Sequence, residues 1–85
     1  MVYQILIEKP ALKQLSKLEK PIRESIITAI DALADNPRPF GYKKLVDEGG
    51  TYRIKVKNYR VLYDVLDKVL TITVISVAKR NERTY

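Results

Sequence analysis

The stretch TYRIKVKNYRVLYDV, residues 51–65, alternates apolar and basic side chains, and this alternation restricts the fold more than any other feature of the chain. A β-strand directs successive side chains to opposite faces, whereas a helix would scatter the two kinds around its circumference. The apolar residues of one face are Tyr52, Ile54 and Val56. The basic residues of the other face are Arg53, Lys55 and Lys57. The segment therefore begins with a strand that has one buried and one basic face.

The basic face continues across a tight reversal of the chain near residue 58. If Val56 lies opposite Tyr59, antiparallel counting places Lys55 opposite Arg60, with Arg53 two residues further along. Like charges opposed across two strands destabilise a sheet, so a bound anion such as phosphate would explain their convergence. A solvated sheet face whose lysines prevent edge pairing is the alternative, and the sequence alone leaves both interpretations open.

The remainder of the chain predicts two helices and further strands. Pro10 and Pro21 suit the first turns of two amphipathic helices, and the second helix carries an apolar stripe that ends before DNPRP. Strands are predicted at residues 2–7, 41–46, 52–56, 59–66 and 69–77. The predicted fold class is α+β, with a two-helix antiparallel hairpin packed on a mainly antiparallel sheet of four to five strands. Its order is β-α-α-β-β-β, or the same with one more strand, in a single domain of residues 1–85.

The composition excludes several kinds of chemistry. The chain contains neither cysteine nor histidine, so disulfides, thiol catalysis and the usual zinc ligands are excluded, and we expect neither a metal nor a cofactor. The net charge of +6 lies mostly in residues 51–85, which hold eight basic and three acidic residues. This asymmetry indicates a polyanionic partner such as nucleic acid. No apolar run approaches the length of a membrane span or a signal peptide core, so we expect a cytoplasmic protein that has no membrane partner.

The C-terminal residues AKRNERTY add cations and a ring. They supply Lys79, Arg80, Arg83 and Tyr85. Single-stranded nucleic acids are commonly held by aromatic rings that stack on bases beside cations that bind phosphates, although a frayed chain end would account for the same residues. RNA carries its own nucleophile, the ribose 2′-hydroxyl, whose attack on the adjacent phosphate needs mainly positioning and charge stabilisation. A basic site without a metal therefore favours RNA over DNA.

Residues 43–85 resemble the second half of toxins of the RelE/ParE superfamily, and within it the RelE type of mRNA interferase. The resemblance rests on YRIKV, on YRVLYDV with the following D and ITVISV, and on AKR followed by a tyrosine. It implies a RelE-like fold and the toxin of a type II toxin-antitoxin system. Such a toxin is a metal-independent endoribonuclease that inhibits translation and arrests growth by cutting mRNA in the ribosomal A site through 2′-hydroxyl attack. The implied partners are the ribosome, mRNA and a cognate RelB-like antitoxin, in a higher-order complex that binds operator DNA through the antitoxin.

The resemblance also implies roles for individual residues. The implied catalytic residues are Arg53, Lys55, Arg60, Arg80 and Tyr85. Lys55 and Arg60 would stabilise the phosphate and its transition state. Arg80 would protonate or neutralise the leaving 5′-oxygen, and Tyr85 would stack on a base of the codon. The further substrate-binding residues are Lys57, Lys79 and Arg83.

Arg53 departs from the RelE type, which commonly has at this position a lysine proposed as general base. Arginine is effectively never deprotonated in proteins, so Arg53 is expected to orient the 2′-hydroxyl or to hold a phosphate. Two alternatives remain at this point. One is a ParE-like DNA gyrase poison without ribonuclease activity, and the other is a non-catalytic relative that acts with its antitoxin as a repressor.

Overall fold

Two prolines mark the starts of the helices, as the sequence predicts. In the computed structural model, which describes residues 2–45 and 51–79, helix α1 spans Lys9–Ser16 and helix α2 spans Lys20–Leu33. Pro10 and Pro21 each lie in the first turn, where the missing N–H leaves no helical hydrogen bond unmade. The helices are separated by a short turn that begins at Lys17, whose N–H donates to the carbonyl oxygens of Gln14 and Leu15.

Five strands form one sheet in the spatial order β1-β5-β4-β3-β2. Their bounds are β1 Gln4–Ile7, β2 Lys43–Leu45, β3 Thr51–Val56, β4 Tyr59–Leu66 and β5 Thr71–Lys79. β1 pairs parallel with β5, and the other three pairs are antiparallel. The predicted α+β fold with a mainly antiparallel sheet is confirmed, with five strands.

The core lies between the helices and one face of the sheet, called here the inner face. Its sheet side is formed by Tyr52, Ile54, Val61, Tyr63, Ile72, Val74 and Val77. Its helix side is formed by Ala11, Leu15, Ile26, Ile30 and Leu33. The opposite face of the sheet is called here the outer face. Because β3 and β4 bury their alternate apolar residues, the residues between them lie on the outer face.

The connection between β4 and β5 differs from the prediction. Residues 67–69 form a 3-10 turn, and Leu70 has a positive φ of 47°. Val69, which was predicted to start the last strand, lies in this turn with an exposed fraction of 66%. β5 therefore begins at Thr71 and continues two residues beyond the predicted end, to Lys79. Alternation does not show this turn, because Val69 and Leu70 are as apolar as the strand that follows.

The ends of three other strands also differ from the prediction. β3 begins at Thr51, one residue before its predicted start. β1 begins at Gln4 rather than at residue 2. β2 begins at Lys43 rather than at residue 41, because Gly41 has a φ of 93° and the Tyr42 N–H donates to the Pro39 carbonyl oxygen at 3.0 Å. The predicted end of this strand at residue 46 lies outside the described residues. No helix in the described part of the chain has the length and apolar character to cross a membrane.

Candidate nucleic-acid interface

The hairpin of β3 and β4 brings two cations together on the outer face. Val56 lies opposite Tyr59, and Lys55 lies opposite Arg60, so the register predicted from the sequence is confirmed. Directly opposed residues have Cβ atoms about 5 Å apart, and both side chains are exposed. Arg53 is two residues from Lys55 on the same strand and is half-buried. The outer face at this end of the sheet is therefore a concentrated source of positive charge.

The structure adds Lys43, a cation that the sequence pattern does not assign to this face. β2 pairs with β3 so that Lys43 lies opposite Arg53, and the Lys43 side chain is exposed. The next residue, Lys44, lies opposite Tyr52, and its Nζ is 5.7 Å from the centroid of the Tyr52 ring on the inner face. The two lysines of β2 therefore point to opposite faces. We call Lys43, Arg53, Lys55 and Arg60 the basic face.

The sequence alone does not show that Lys43 lies on the outer face. Two consecutive lysines in a strand place one lysine on each face whatever the phase. Which of the two joins Arg53 depends on how residues 46–50 connect β2 to β3, and counting along the sequence does not determine that register. A hairpin with a two-residue turn can be counted, whereas this longer connection cannot.

Two other predicted substrate-binding residues lie apart from the basic face. Lys57 occupies the turn between β3 and β4, where it is exposed and has a φ of 55°. Lys79 lies opposite Tyr59 at the end of β5. Because Val77 is buried on the inner face, alternation places Lys79 on the inner side of the sheet, away from Arg60. The predicted site residues Arg80, Arg83 and Tyr85 lie outside the described residues.

Helix α1 positions the end of β5. β1 ends its pairing with β5 at Val74, so the following part of β5 has helix α1 rather than a strand beside it. The Oε1 atom of Gln14 accepts a hydrogen bond of 2.7 Å from the Val77 N–H. This contact continues the hydrogen bonding of β5 and positions its last residues beside β4, where Ala78 lies opposite Arg60.

A cavity of about 410 Å³ adjoins the basic face at Lys55. It lies between the C-terminal half of α2, the segment before β2, and β3, and apolar residues such as Leu33 and Ile54 form most of its wall. Phe40 lies at this cavity with its side chain fully exposed. Exposed apolar surface of this kind is typical of a site that binds another molecule.

A polar cluster at the opposite end of β3 holds the segment before β2 in place. Arg38 Nη2 is 2.9 Å from Asp67 Oδ2, and the Tyr3 hydroxyl donates to Asp67 Oδ1 at 2.6 Å. Arg38 also donates to the Tyr52 hydroxyl from Nε at 3.2 Å and from Nη2 at 3.1 Å. Hydrogen bonds from Arg38 and Tyr3 lower the pKa of Asp67, and the bond to Asp67 raises the pKa of Tyr3. The cluster is structural, because it joins four segments that are distant in sequence.

The described residues contain no group of three or more His, Cys, Asp or Glu side chains placed to hold a metal ion. The basic face offers hydrogen-bond donors. These are two guanidinium groups and two ammonium groups, distributed over three adjacent strands. Such groups bind phosphate oxygens and stabilise negative charge that develops on them.

Comparison with known proteins identifies the family to which this chain belongs. The sequence profile of the ParE toxin of type II toxin-antitoxin systems, parDE, matches residues 5–84. A putative RelE-like toxin protein of Escherichia coli is 34% identical over 82 residues, which cover 94% of this chain and 85% of that protein. The mRNA interferase toxin RelE of E. coli strain K12 is 33% identical with the same coverage.

The fold agrees with these sequence similarities. The crystal structure of the archaeal RelE-RelB complex from Pyrococcus horikoshii OT3 matches with a TM-score of 0.85 and 30% identity, covering 96% of this chain and 99% of that chain. The resemblance recognised from YRIKV, YRVLYDV and AKR is therefore confirmed. The chain belongs to the RelE/ParE superfamily of type II toxin-antitoxin toxins.

Proposed function

We propose that this protein is a RelE-type toxin that inhibits translation by cutting mRNA in the ribosomal A site. The observation that carries the proposal is the cross-strand pair of Lys55 and Arg60 on the outer face, extended by Arg53. Lysine and arginine donors placed opposite each other on one sheet face can bind the same phosphate through charge-assisted hydrogen bonds. RNA supplies both the phosphate and, in its 2′-hydroxyl, the nucleophile.

In this mechanism the protein positions the RNA and stabilises charge. The 2′-oxygen attacks the adjacent phosphorus, the bond from phosphorus to the 5′-oxygen breaks, and a 2′,3′-cyclic phosphate remains. Lys55 and Arg60 stabilise the charge that develops on the non-bridging phosphate oxygens. Arg80 protonates or neutralises the leaving 5′-oxygen, and Tyr85 stacks on a base of the codon.

Arg53 is assigned to orientation rather than to proton abstraction. Its guanidinium stays protonated at any physiological pH, so it donates hydrogen bonds and cannot accept the 2′-proton. It is suited to hold the 2′-oxygen or a phosphate oxygen in line for attack. The proton acceptor is then a group of the RNA or of the ribosome.

A cognate antitoxin of the RelB type is the proposed protein partner. The archaeal relative was solved as a complex of RelE with RelB. In the present chain, the cavity beside Lys55 and the exposed ring of Phe40 offer apolar surface next to cations. An antitoxin segment with apolar and acidic side chains would match both, would cover part of the basic face, and would bring the complex to operator DNA. The toxin and its antitoxin would both act in the cytoplasm.

Poisoning of DNA gyrase, the activity of the ParE-like alternative, is less well supported. The profile that matches the chain is named for ParE, but the curated relatives above are named for RelE. A toxin that acted only through protein contacts would also have no need for four cations on one sheet face. Induction of DNA damage signalling without a block in translation would favour this alternative.

The proposal is tested by expressing Arg60→Ala and mapping mRNA ends by primer extension. We expect growth arrest and A-site cleavage to be lost, because removal of one charge-stabilising donor typically slows such a reaction by about 100-fold or more. Lys68→Ala is the control, since Lys68 is an exposed cation in the turn at the far end of β4. A-site cleavage by Arg60→Ala at the wild-type level would refute the assignment.

A further inference from the structure

We propose that Gln14 of helix α1 is a positioning residue for the cleavage step. Its side chain holds the end of β5 in place, and through β5 it positions Arg80, the residue assigned to the leaving 5′-oxygen. The proposal rests on the proposed ribonuclease function and adds to it a residue of the helical layer. Gln14 acts through β5 and not on the RNA, so it is distinct from the catalytic residues.

Gln14 is a polar residue on the core-facing side of α1. Ala11 and Leu15 of this helix are buried in the core. Residues three or four apart share one side of a helix, so Gln14 lies on the same side as Ala11. Its side chain is half-buried. Polar atoms in such places are normally hydrogen-bonded, and the partners of Gln14 show what it does.

Those partners lie on β5, beyond the point where β1 has ended. β1 pairs with β5 as far as Val74, and within the described part of the chain no other strand continues on that side. The Gln14 Oε1 atom accepts a hydrogen bond of 2.7 Å from the Val77 N–H and a longer one of 3.4 Å from the Ser76 hydroxyl. Because a backbone N–H only donates, the carbonyl oxygen of the amide must face it. Gln14 therefore takes the place of a strand carbonyl.

A β-bulge lies directly before the residues that Gln14 holds. The pairing of β4 with β5 shifts register between Leu62 and Tyr63, which makes Ile75 the extra residue of β5. A bulge disrupts the ladder of hydrogen bonds locally and bends the strand. Both hydrogen bonds of Gln14 reach the two residues that follow the bulge. The amide thus supports β5 where its pairing with β4 is interrupted and its pairing with β1 has ended.

The supported residues lead to the basic face and to Arg80. Ala78 lies opposite Arg60, and β5 ends at Lys79. Arg80 is the next residue in the sequence, and consecutive Cα atoms are about 3.8 Å apart. The end of β5 therefore determines where the Arg80 backbone begins relative to Arg60. Displacement of a reacting group by about 1 Å can slow a reaction by about 100-fold, so this support has a catalytic consequence.

The test compares one substitution that removes the acceptor with one that keeps it. Gln14→Met preserves the length of the side chain without its carbonyl oxygen, whereas Gln14→Glu retains an oxygen that accepts from the Val77 N–H. The assay is single-turnover cleavage of mRNA on programmed ribosomes. We expect Gln14→Met to lower the rate at saturation by about tenfold or more while the half-saturating toxin concentration stays within about twofold. Gln14→Glu should cleave at the wild-type rate.

An mRNA with sulfur in place of the scissile 5′-oxygen identifies the step that Gln14 supports. A thiol is far more acidic than an alcohol, so a thiolate leaves without the help that an alkoxide needs. On this substrate we expect both Arg80→Ala and Gln14→Met to cleave within about threefold of the wild-type rate, since the general acid is no longer needed. Arg60→Ala should stay slow, because charge still develops on the non-bridging oxygens.

Two measurements separate this role from a general loss of stability. Tyr63→Phe also removes one hydrogen bond between a side chain and the backbone, and it should leave the rate at saturation within about twofold of wild type. Hydrogen exchange followed by NMR reports the contact itself. The Val77 amide should exchange about tenfold faster or more in Gln14→Met, and at the wild-type rate in Gln14→Glu.

The outcomes distinguish the positioning role from the function on which it rests. Wild-type cleavage by Gln14→Met, or a Gln14→Met defect that persists on the sulfur substrate while Arg80→Ala recovers, would overturn the positioning role alone. Equal rate losses in Gln14→Glu and Gln14→Met, or in Tyr63→Phe and Gln14→Met, would also overturn it. Absence of cleavage by the wild-type protein, or an Arg80→Ala defect that persists on the sulfur substrate, would overturn the proposed function as well.

Discussion

Tyr63 shows how a polar atom is accommodated in the core of this protein. Its side chain is fully buried on the inner face, and its hydroxyl donates a hydrogen bond of 2.7 Å to the carbonyl oxygen of Pro37. Burial raises its pKa to about 12, because the phenolate would lose its hydration. Tyr63 thus joins β4 to the segment that follows α2, and it does so only while the hydroxyl is protonated.

Tyr63→Phe should lower the free energy of unfolding at neutral pH by about 1–2 kcal/mol, since the carbonyl of Pro37 loses its buried donor. The folded-state pKa of Tyr63 lies above the ordinary value of 10.0, so its contribution is complete below pH 10 and is lost as pH rises toward 12. Urea unfolding of both proteins between pH 8 and about 11.5 measures this. The difference between them should shrink at high pH, and a constant difference would contradict the shifted pKa.

At the scale of secondary-structure elements, the register of the hairpin of β3 and β4 was predictable, whereas the pairing of β2 with β3 was not. Two residues separate Val56 from Tyr59, so the register of Lys55 and Arg60 could be counted directly. The starts of the two helices were also predictable, because a proline lies in the first turn of each helix. The side of β2 that carries Lys43 depends on long-range pairing, and the 3-10 turn after β4 depends on tertiary contacts of Asp67. Neither leaves a periodic signal in the sequence.

Asp67 connects elements whose proximity is not predicted by the alternation of apolar and polar side chains. It accepts hydrogen bonds from Tyr3 just before β1 and from Arg38 before β2, while its own turn links β4 to β5. Arg38 in turn reaches Tyr52 on β3. The cluster therefore holds Arg38 in place, in the segment that leads to β2 and borders the cavity beside Lys55.

Asp67→Asn should lower the melting temperature at neutral pH, because Arg38 and Tyr3 lose a charged acceptor. The pKa of Asp67 lies below its ordinary value of 3.8 in the folded protein, so its contribution is complete above that value and is lost as pH falls through the folded-state pKa. Melting curves at pH 7 and at successively lower pH test this. The two proteins should converge in acid, and an undiminished gap there would contradict a role for the ionised carboxylate.

At the scale of the whole molecule, the two faces of the sheet differ in what they carry. The inner face packs against both helices, while the outer face carries the basic residues on β2, β3 and β4. The sequence showed this division through alternation and through the excess of positive charge in residues 51–85. How Arg80 and Tyr85 complete the site stays a prediction from the resemblance, because both lie outside the described residues.

The central claim is that the basic face promotes attack by the 2′-hydroxyl of the RNA itself. The most direct measurement is the chemical identity of the ends produced when the purified toxin cleaves mRNA on programmed ribosomes. Attack by the 2′-oxygen leaves a 2′,3′-cyclic phosphate and a 5′-hydroxyl, and a 2′-deoxy substitution at the scissile nucleotide should abolish cleavage. Products with a 3′-hydroxyl and a 5′-phosphate, or unchanged cleavage of the 2′-deoxy substrate, would contradict this account.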